Sequence, residues 1–106
     1  MRVIYTDEAL SDLENIYNYI AYNLGEPGLA KKRVDLIRKR VKDLEVFPEM
    51  YKIWRDTDMR CFPVKNHTVI YLYDKSSDIV YVMNVFLFTE EYRQLDIMRF
   101  VVKIKG

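Results

Sequence analysis

The apolar side chains of this sequence change their spacing once, around Phe47-Pro48, and that switch decides most of what the chain can become. Before it they recur every three or four residues, as an amphipathic helix requires; after it they alternate or run together, as in strands. Ala9, Leu13, Ile16 and Ile20 share one helical face, and Leu10, Tyr17, Ala21 and Leu24 widen it until it is broad enough to touch two neighbours. Thr6 offers an N-cap oxygen ahead of this helix, and Asp7 and Glu8 put negative charge in its first turn, where the macrodipole favours it. Gly25-Glu26-Pro27-Gly28 closes this helix and opens another, since Gly suits the position just past a helix end and Pro an early helical position. The second helix has a narrower stripe, Ala30, Val34, Ile37, Val41 and Leu44, and Pro48 is expected to stop it.

Arg2 to Tyr5, short and rich in β-branched and aromatic residues, predicts a first strand. Thr68 to Tyr73 and Ile79 to Phe88 are apolar on both alternating faces and predict two central strands. Pro63 has no N–H for a ladder, so Arg60 to Val64 belongs at an edge or a bulge. Lys65-Asn66 and Asp74 to Asp78 supply turns, Thr89 to Leu95 a capped helical turn, and Met98 to Ile104 a final amphipathic strand. The order predicts an α+β fold: an N-terminal strand, a two-helix hairpin, then a three- to four-stranded, mainly antiparallel sheet. In 106 residues, half of them apolar, that is one domain over residues 1–106, and three Gly, three Pro and no low-complexity run leave no linker.

Cys61, the only cysteine, cannot form an internal disulfide, and no Cys or His spacing suits a metal, so neither metal nor cofactor is expected. No apolar run reaches the roughly 18 residues of a membrane span, and the N-terminus reads as a strand rather than a signal peptide. A cytoplasmic protein without membrane contact is expected. The net charge of +1 hides a segregation of sign: Lys31 to Lys42 holds seven cations and one acid, whereas Asp7 to Glu14 holds four acids and no cation. Such a surface would meet a phosphate backbone with one side only; the same pattern also fits a solvated helix face.

Three stretches in order, Tyr5 through Ile20, Leu44-Glu45-Val46-Phe47-Pro48-Glu49, and Met59-Arg60 through Tyr71, resemble the RelE/ParE toxins of type II toxin–antitoxin systems. The resemblance covers roughly residues 1 to 88 and implies two different targets. RelE-like members cut mRNA on the ribosome without a metal, using the RNA's own 2′-hydroxyl, which makes a ribosome-dependent mRNA endonuclease the leading expectation. ParE-like members poison DNA gyrase and cut nothing; a catalytically degenerate module is the remaining alternative. In each case a cognate antitoxin is the implied partner, covering the broad side of the first helix or an exposed sheet edge near Met98 to Ile104.

Cleavage by a 2′-hydroxyl needs a base, cations for the phosphorane charge and an acid for the leaving oxygen. Arg60 stands where the resemblance puts an arginine, and its guanidinium fork suits a phosphate, although an ion pair with Glu49 or Asp56 would look the same. His67, the sole histidine, has an ordinary pKa of about 6.5 that suits acid or base work. Lys65 shares its face if the strand is regular, but not if Lys65-Asn66 form a two-residue turn. Lys52 and Arg55 extend a phosphate-binding strip, and the adjacent Tyr51 and Trp54 are candidates for base stacking, whereas Tyr17, Tyr71 and Tyr81 suit the core. RelE-like nucleases place an arginine directly after the last sheet strand and a tyrosine or histidine beyond. Here Phe88-Thr89-Glu90-Glu91 occupies that junction, leaving Tyr92 and Arg93 as the acid and cation, while Asn84 points to the site or to the backbone.

Overall fold

A computed structural model describes residues 2–87 of the chain. Its order is β1 (Arg2–Tyr5), α1 (Asp7–Asn18) extended by a π-helical turn (Tyr19–Asn23), α2 (Pro27–Lys42) with a 3₁₀ turn (Asp43–Glu45), β2 (Arg60–Val64), β3 (His67–Asp74) and β4 (Ile79–Leu87). The four strands form one sheet in the order β1-β4-β3-β2. β2, β3 and β4 are antiparallel neighbours, while β1 runs parallel to β4 and ends opposite Val82. The α+β architecture is therefore as the periodicities predict, with β3 and β4 central and the Pro63 strand at an edge. The expected final strand and the Thr89 to Leu95 turn lie outside the described residues.

Thr6 fastens the start of α1 to the sheet. Its hydroxyl oxygen accepts from the Ala9 N–H at 3.1 Å and donates towards the Val82 and Met83 carbonyls at 3.0 and 3.1 Å. One side chain thus caps the helix and ties it to β4 just where β1 runs out. Thr6→Ala is expected to cost about 1–2 kcal/mol, the usual range for an N-cap with a further hydrogen bond, and urea denaturation measures it. A loss below about 0.3 kcal/mol would show that the oxygen contributes neither role.

Ala9, Leu13, Ile16 and Ile20 from the first helical segment join Ala30, Ile37, Val41 and Leu44 from the second. Together they pack on the Phe62, Val64, Val69, Tyr71, Val80, Val82 and Val85 side of the sheet. The second helix does not run on to Pro48 as expected. Its α-helical hydrogen bonding ends at Lys42, and the 3₁₀ turn tightens the last carbonyls before Val46 and Phe47 emerge exposed. The opposite sheet face is covered by the segment before β2: Trp54, Met59, Cys61 and Ile70 form a second cluster, with Leu72, Met83 and Phe86 packed against it.

Candidate functional site

A two-residue turn decides which way the histidine faces. Val64 pairs with His67, so Lys65 and Asn66 alone make the reversal, and Lys65 takes φ 57° in the left-handed region. Lys65 and His67 consequently share no strand face, and the lysine stands exposed at the hairpin tip. His67 turns to the helix side, alongside Val64 and Val69, and is buried. Its Nδ1 lies 3.3 Å from Nη1 of Arg33 on α2. Because a guanidinium only donates, Nδ1 must be the acceptor, and the neutral ring carries its proton on Nε2. Burial and the Arg33 charge push the imidazole pKa down to about 4. The same Arg33 nitrogen donates to the Asn66 side-chain oxygen.

Arg60 sits at the other end of the hairpin, paired with Tyr71, and four residues of strand put it about 13 Å from the Val64–His67 end. Its Nη1 donates to the Tyr51 carbonyl at 2.7 Å, and its Nη2 meets the Glu49 carboxylate at 3.4 Å. Lys75 approaches the same carboxylate at 3.5 Å. The Tyr71 hydroxyl donates to the Pro48 carbonyl at 2.8 Å, and burial pushes its pKa up to about 12, so it stays a donor. Arg60 therefore binds down the 48–51 loop together with Tyr71, the ion-pair reading that the sequence left open.

Trp54 corrects a second expectation: it is buried against Met59, Cys61 and Ile70, so its ring is closed to base stacking. Tyr51 is partly buried and stacks on Phe62, with ring centroids 4.3 Å apart. Lys52 and Arg55 are exposed along the outer edge of β2; the Lys52 carbonyl accepts from the Cys61 N–H at 3.1 Å, and Arg55 lies 5.6 Å from the Trp54 ring. Tyr92 and Arg93 lie outside the described residues. Thus the candidate catalytic groups Arg60 and His67 are not brought together. Among the described residues no group of three or more His, Cys, Asp or Glu could hold a metal ion.

The structure instead brings together residues that sequence reasoning did not select. A groove of about 560 Å³ opens between the end of α1, the π-helical turn, the start of α2 and the far end of β4. Apolar walls come from Ile16, Tyr19, Ile20, Leu24 and Leu29, and the polar groups are Asp12, Asn15, Arg33, Asn66 and His67. Tyr19, Leu24 and Leu29 are 50, 53 and 42% exposed, so the described fold leaves this apolar surface uncovered. Asp12 accepts the Val85 N–H at 2.8 Å and an Asn84 side-chain N–H at 3.3 Å, covering the strand edge that β1 is too short to reach. Burial raises its carboxyl above the ordinary range, against the pull of those two donors. The available signal was angular: Asp12 and Arg33 each flank the apolar stripe of their helix.

The fold and groove define a class: a small α+β domain in which a helical hairpin covers one side of a mixed four-stranded sheet. The family model described as the ParE toxin of the type II toxin–antitoxin system, parDE, matches residues 3–92, and the chain belongs to that family. It is accordingly a toxin of a type II toxin–antitoxin system. Among solved structures, that of the chromosomal ParDE system from P. aeruginosa superposes with a TM-score of 0.71 at 19% identity, covering 82% of this chain and 95% of that one. The RelBE2 complex from Mycobacterium tuberculosis gives 0.60 at 17% identity, covering 81% and 95%. The intact E. coli RelBE complex gives 0.57 at 11% identity, covering 78% and 90%. At these identities the likeness is one of fold. Comparison with curated protein sequences finds no significant match.

Proposed function

We propose that this toxin acts by holding a protein target rather than by cutting RNA, that the target is DNA gyrase, and that a cognate antitoxin silences it. One observation carries the reading: Arg60 and His67, the described candidates for nuclease chemistry, stand about 13 Å apart along the hairpin, each engaged with its own neighbours. An efficient general acid or base has a pKa near the working pH. A histidine held at about 4 and buried under α2 is a weak base at neutral pH. The match of the ParE family model supports the same choice. Gyrase places the toxin's work in the cytoplasm, and no described helix is long and apolar enough to cross a membrane.

The mRNA-cleaving alternative relies on Lys52, Arg55 and Lys65 for the phosphates and on Tyr92 and Arg93 for chemistry. Purified toxin is expected to inhibit supercoiling by gyrase and to leave mRNA intact on translating ribosomes. Normal supercoiling at excess toxin overturns the proposal, and so does ribosome-dependent mRNA cleavage by the native toxin.

A further inference from the structure

We infer that the outer face of α2 rests on duplex DNA held by gyrase, with Lys32, Lys39 and Lys42 meeting its phosphates; this deepens the gyrase reading above and rests on it. Seven cations and one acid lie between Lys31 and Lys42, and the fold decides which of them face outwards. At 100° per residue Lys32, Lys39 and Lys42 fall within about 80° of one another, opposite the buried Ala30, Ile37 and Val41. All three are exposed, and among the described residues none of them makes an ion pair. Asp35, the one acid of α2, is taken by Lys31 at 2.7 Å. Arg38 and Arg40 flank the face; Arg38 lies over the Tyr5 ring at 5.1 Å, which holds it in place without cancelling its charge.

Helix stability accounts for only part of this pattern. The macrodipole favours Lys39, Arg40 and Lys42 in the last turn but gives Lys32 nothing, and no acid occupies the first turn, where α1 has Asp7 and Glu8. Arg38 and Lys42 stand at i,i+4 and Lys39 and Lys42 at i,i+3, like-charged spacings that weaken a helix. An anionic partner relieves that repulsion. From Lys32 to Lys42 the helix runs about 15 Å, along which a duplex carries about nine phosphate charges. The surroundings fix the direction of approach: Asp7, Glu8 and Glu14 are exposed on α1 and repel phosphate, and Asp43 and Glu45 close the far end of the face. At the near end Arg33 holds the Asn66 side chain, which sets the hairpin tip and its exposed Lys65 against the same helix. The face suits a duplex rather than a single strand, because α2 carries no aromatic ring on which a base could stack. Its three central charges are lysines, point charges that meet phosphates without reading bases.

The test measures binding of the full-length toxin to gyrase alone and to gyrase loaded on a linear duplex. Native toxin is expected to bind the loaded enzyme more tightly, with an advantage that shrinks as salt rises. The variant Lys32→Gln/Lys39→Gln/Lys42→Gln should lose roughly 10- to 100-fold in affinity for the loaded enzyme and flatten the slope of log affinity against log salt by about 2 to 3. It should keep its affinity for gyrase alone, and its thermal melt should not fall, since like charges have been removed. Lys→Arg at the same three positions should restore binding. A native toxin that binds neither form of gyrase removes the gyrase reading and the inference with it. Equal affinity of native toxin for both forms, or a triple glutamine variant as tight as native on the loaded enzyme, overturns the inference and leaves that reading standing. A triple variant equally weakened on gyrase alone assigns the face to an acidic protein surface, and lysine-dependent binding to an RNA hairpin in preference to the DNA duplex assigns it to RNA; each overturns the inference as well.

Discussion

Phe62→Ala is expected to be the most damaging single substitution in the described fold, costing about 3–5 kcal/mol. The ring is 1% exposed and joins three parts of the chain. It stacks on Tyr51 of the 48–51 loop at 4.3 Å and 16°, and meets the Tyr71 ring of β3 edge-on at 5.9 Å and 65°. Removing it opens a cavity between sheet and helices and dissolves two aromatic pairs, each worth about 0.5–1.5 kcal/mol beyond area burial. A small domain has roughly 5–15 kcal/mol in total, so the variant sits near the edge of folding. Urea denaturation of Phe62→Ala beside Phe62→Leu measures this; the leucine, which refills most of the volume, should lose under half as much. Since Tyr51 supplies the carbonyl that Arg60 binds, the alanine variant should also release the Arg60 side chain. An alanine variant within 1 kcal/mol of native would mean that the loop does not depend on this ring.

The helical half of the fold was legible because one set of residues does both local and tertiary work. Ala9, Leu13, Ile16 and Ile20 make the stripe that marks the helix, and they are also what the sheet buries. Pro63 likewise marks an edge strand, since a missing N–H is harmless only where no further strand pairs. The hairpin's chemistry was not legible, and the reason is register. β2 and β3 are apolar on both faces, so alternation cannot say which face meets the helices; only the turn length does, and it puts His67 inside. Trp54 was misleading for a related reason. Its neighbours Lys52 and Arg55 are charged, yet a lone aromatic in a polar segment is buried once the chain folds back along β2, and that return depends on contacts with residues far away in sequence. Arg60, read from the sequence as either phosphate ligand or ion-pair partner, donates to the Tyr51 carbonyl, an acceptor with no sequence signature.

The groove was invisible for a simpler reason: it is made of what the fold leaves uncovered. Leu24 and Leu29 count as helix stripe or loop in a linear reading, and only the packed hairpin shows that nothing described lies over them. Its polar members come from four separate elements, Asp12 on α1, Arg33 on α2, Asn66 in the turn and His67 on β3. No motif spans that separation. An exposed apolar surface rimmed by oriented polar groups is what a binding protein needs, and it suits a toxin that works by holding partners better than one that moves protons.

Acidification from pH 6.5 to 4 is expected to remove on the order of 3 kcal/mol of stability through His67. Burial, assisted by the Arg33 charge, lowers its folded pKa from 6.5 to about 4. Between those values the unfolded chain holds a proton there that the folded chain does not, so stability is full above about pH 6.5 and falls as the pH drops. Asp12 works in the opposite sense at the lower end: its raised carboxyl takes up a proton in the folded state first, which offsets part of the loss near pH 4. The steepest decline should therefore lie between about pH 6.5 and 5. His67→Asn, which cannot titrate, should be less stable than native at pH 7 but should lose the slope across that interval. Denaturant midpoints at half-unit pH steps decide it: equal slopes in the two proteins would mean that the ring is protonated in the fold, and the Arg33–His67 contact would then have to break rather than hold.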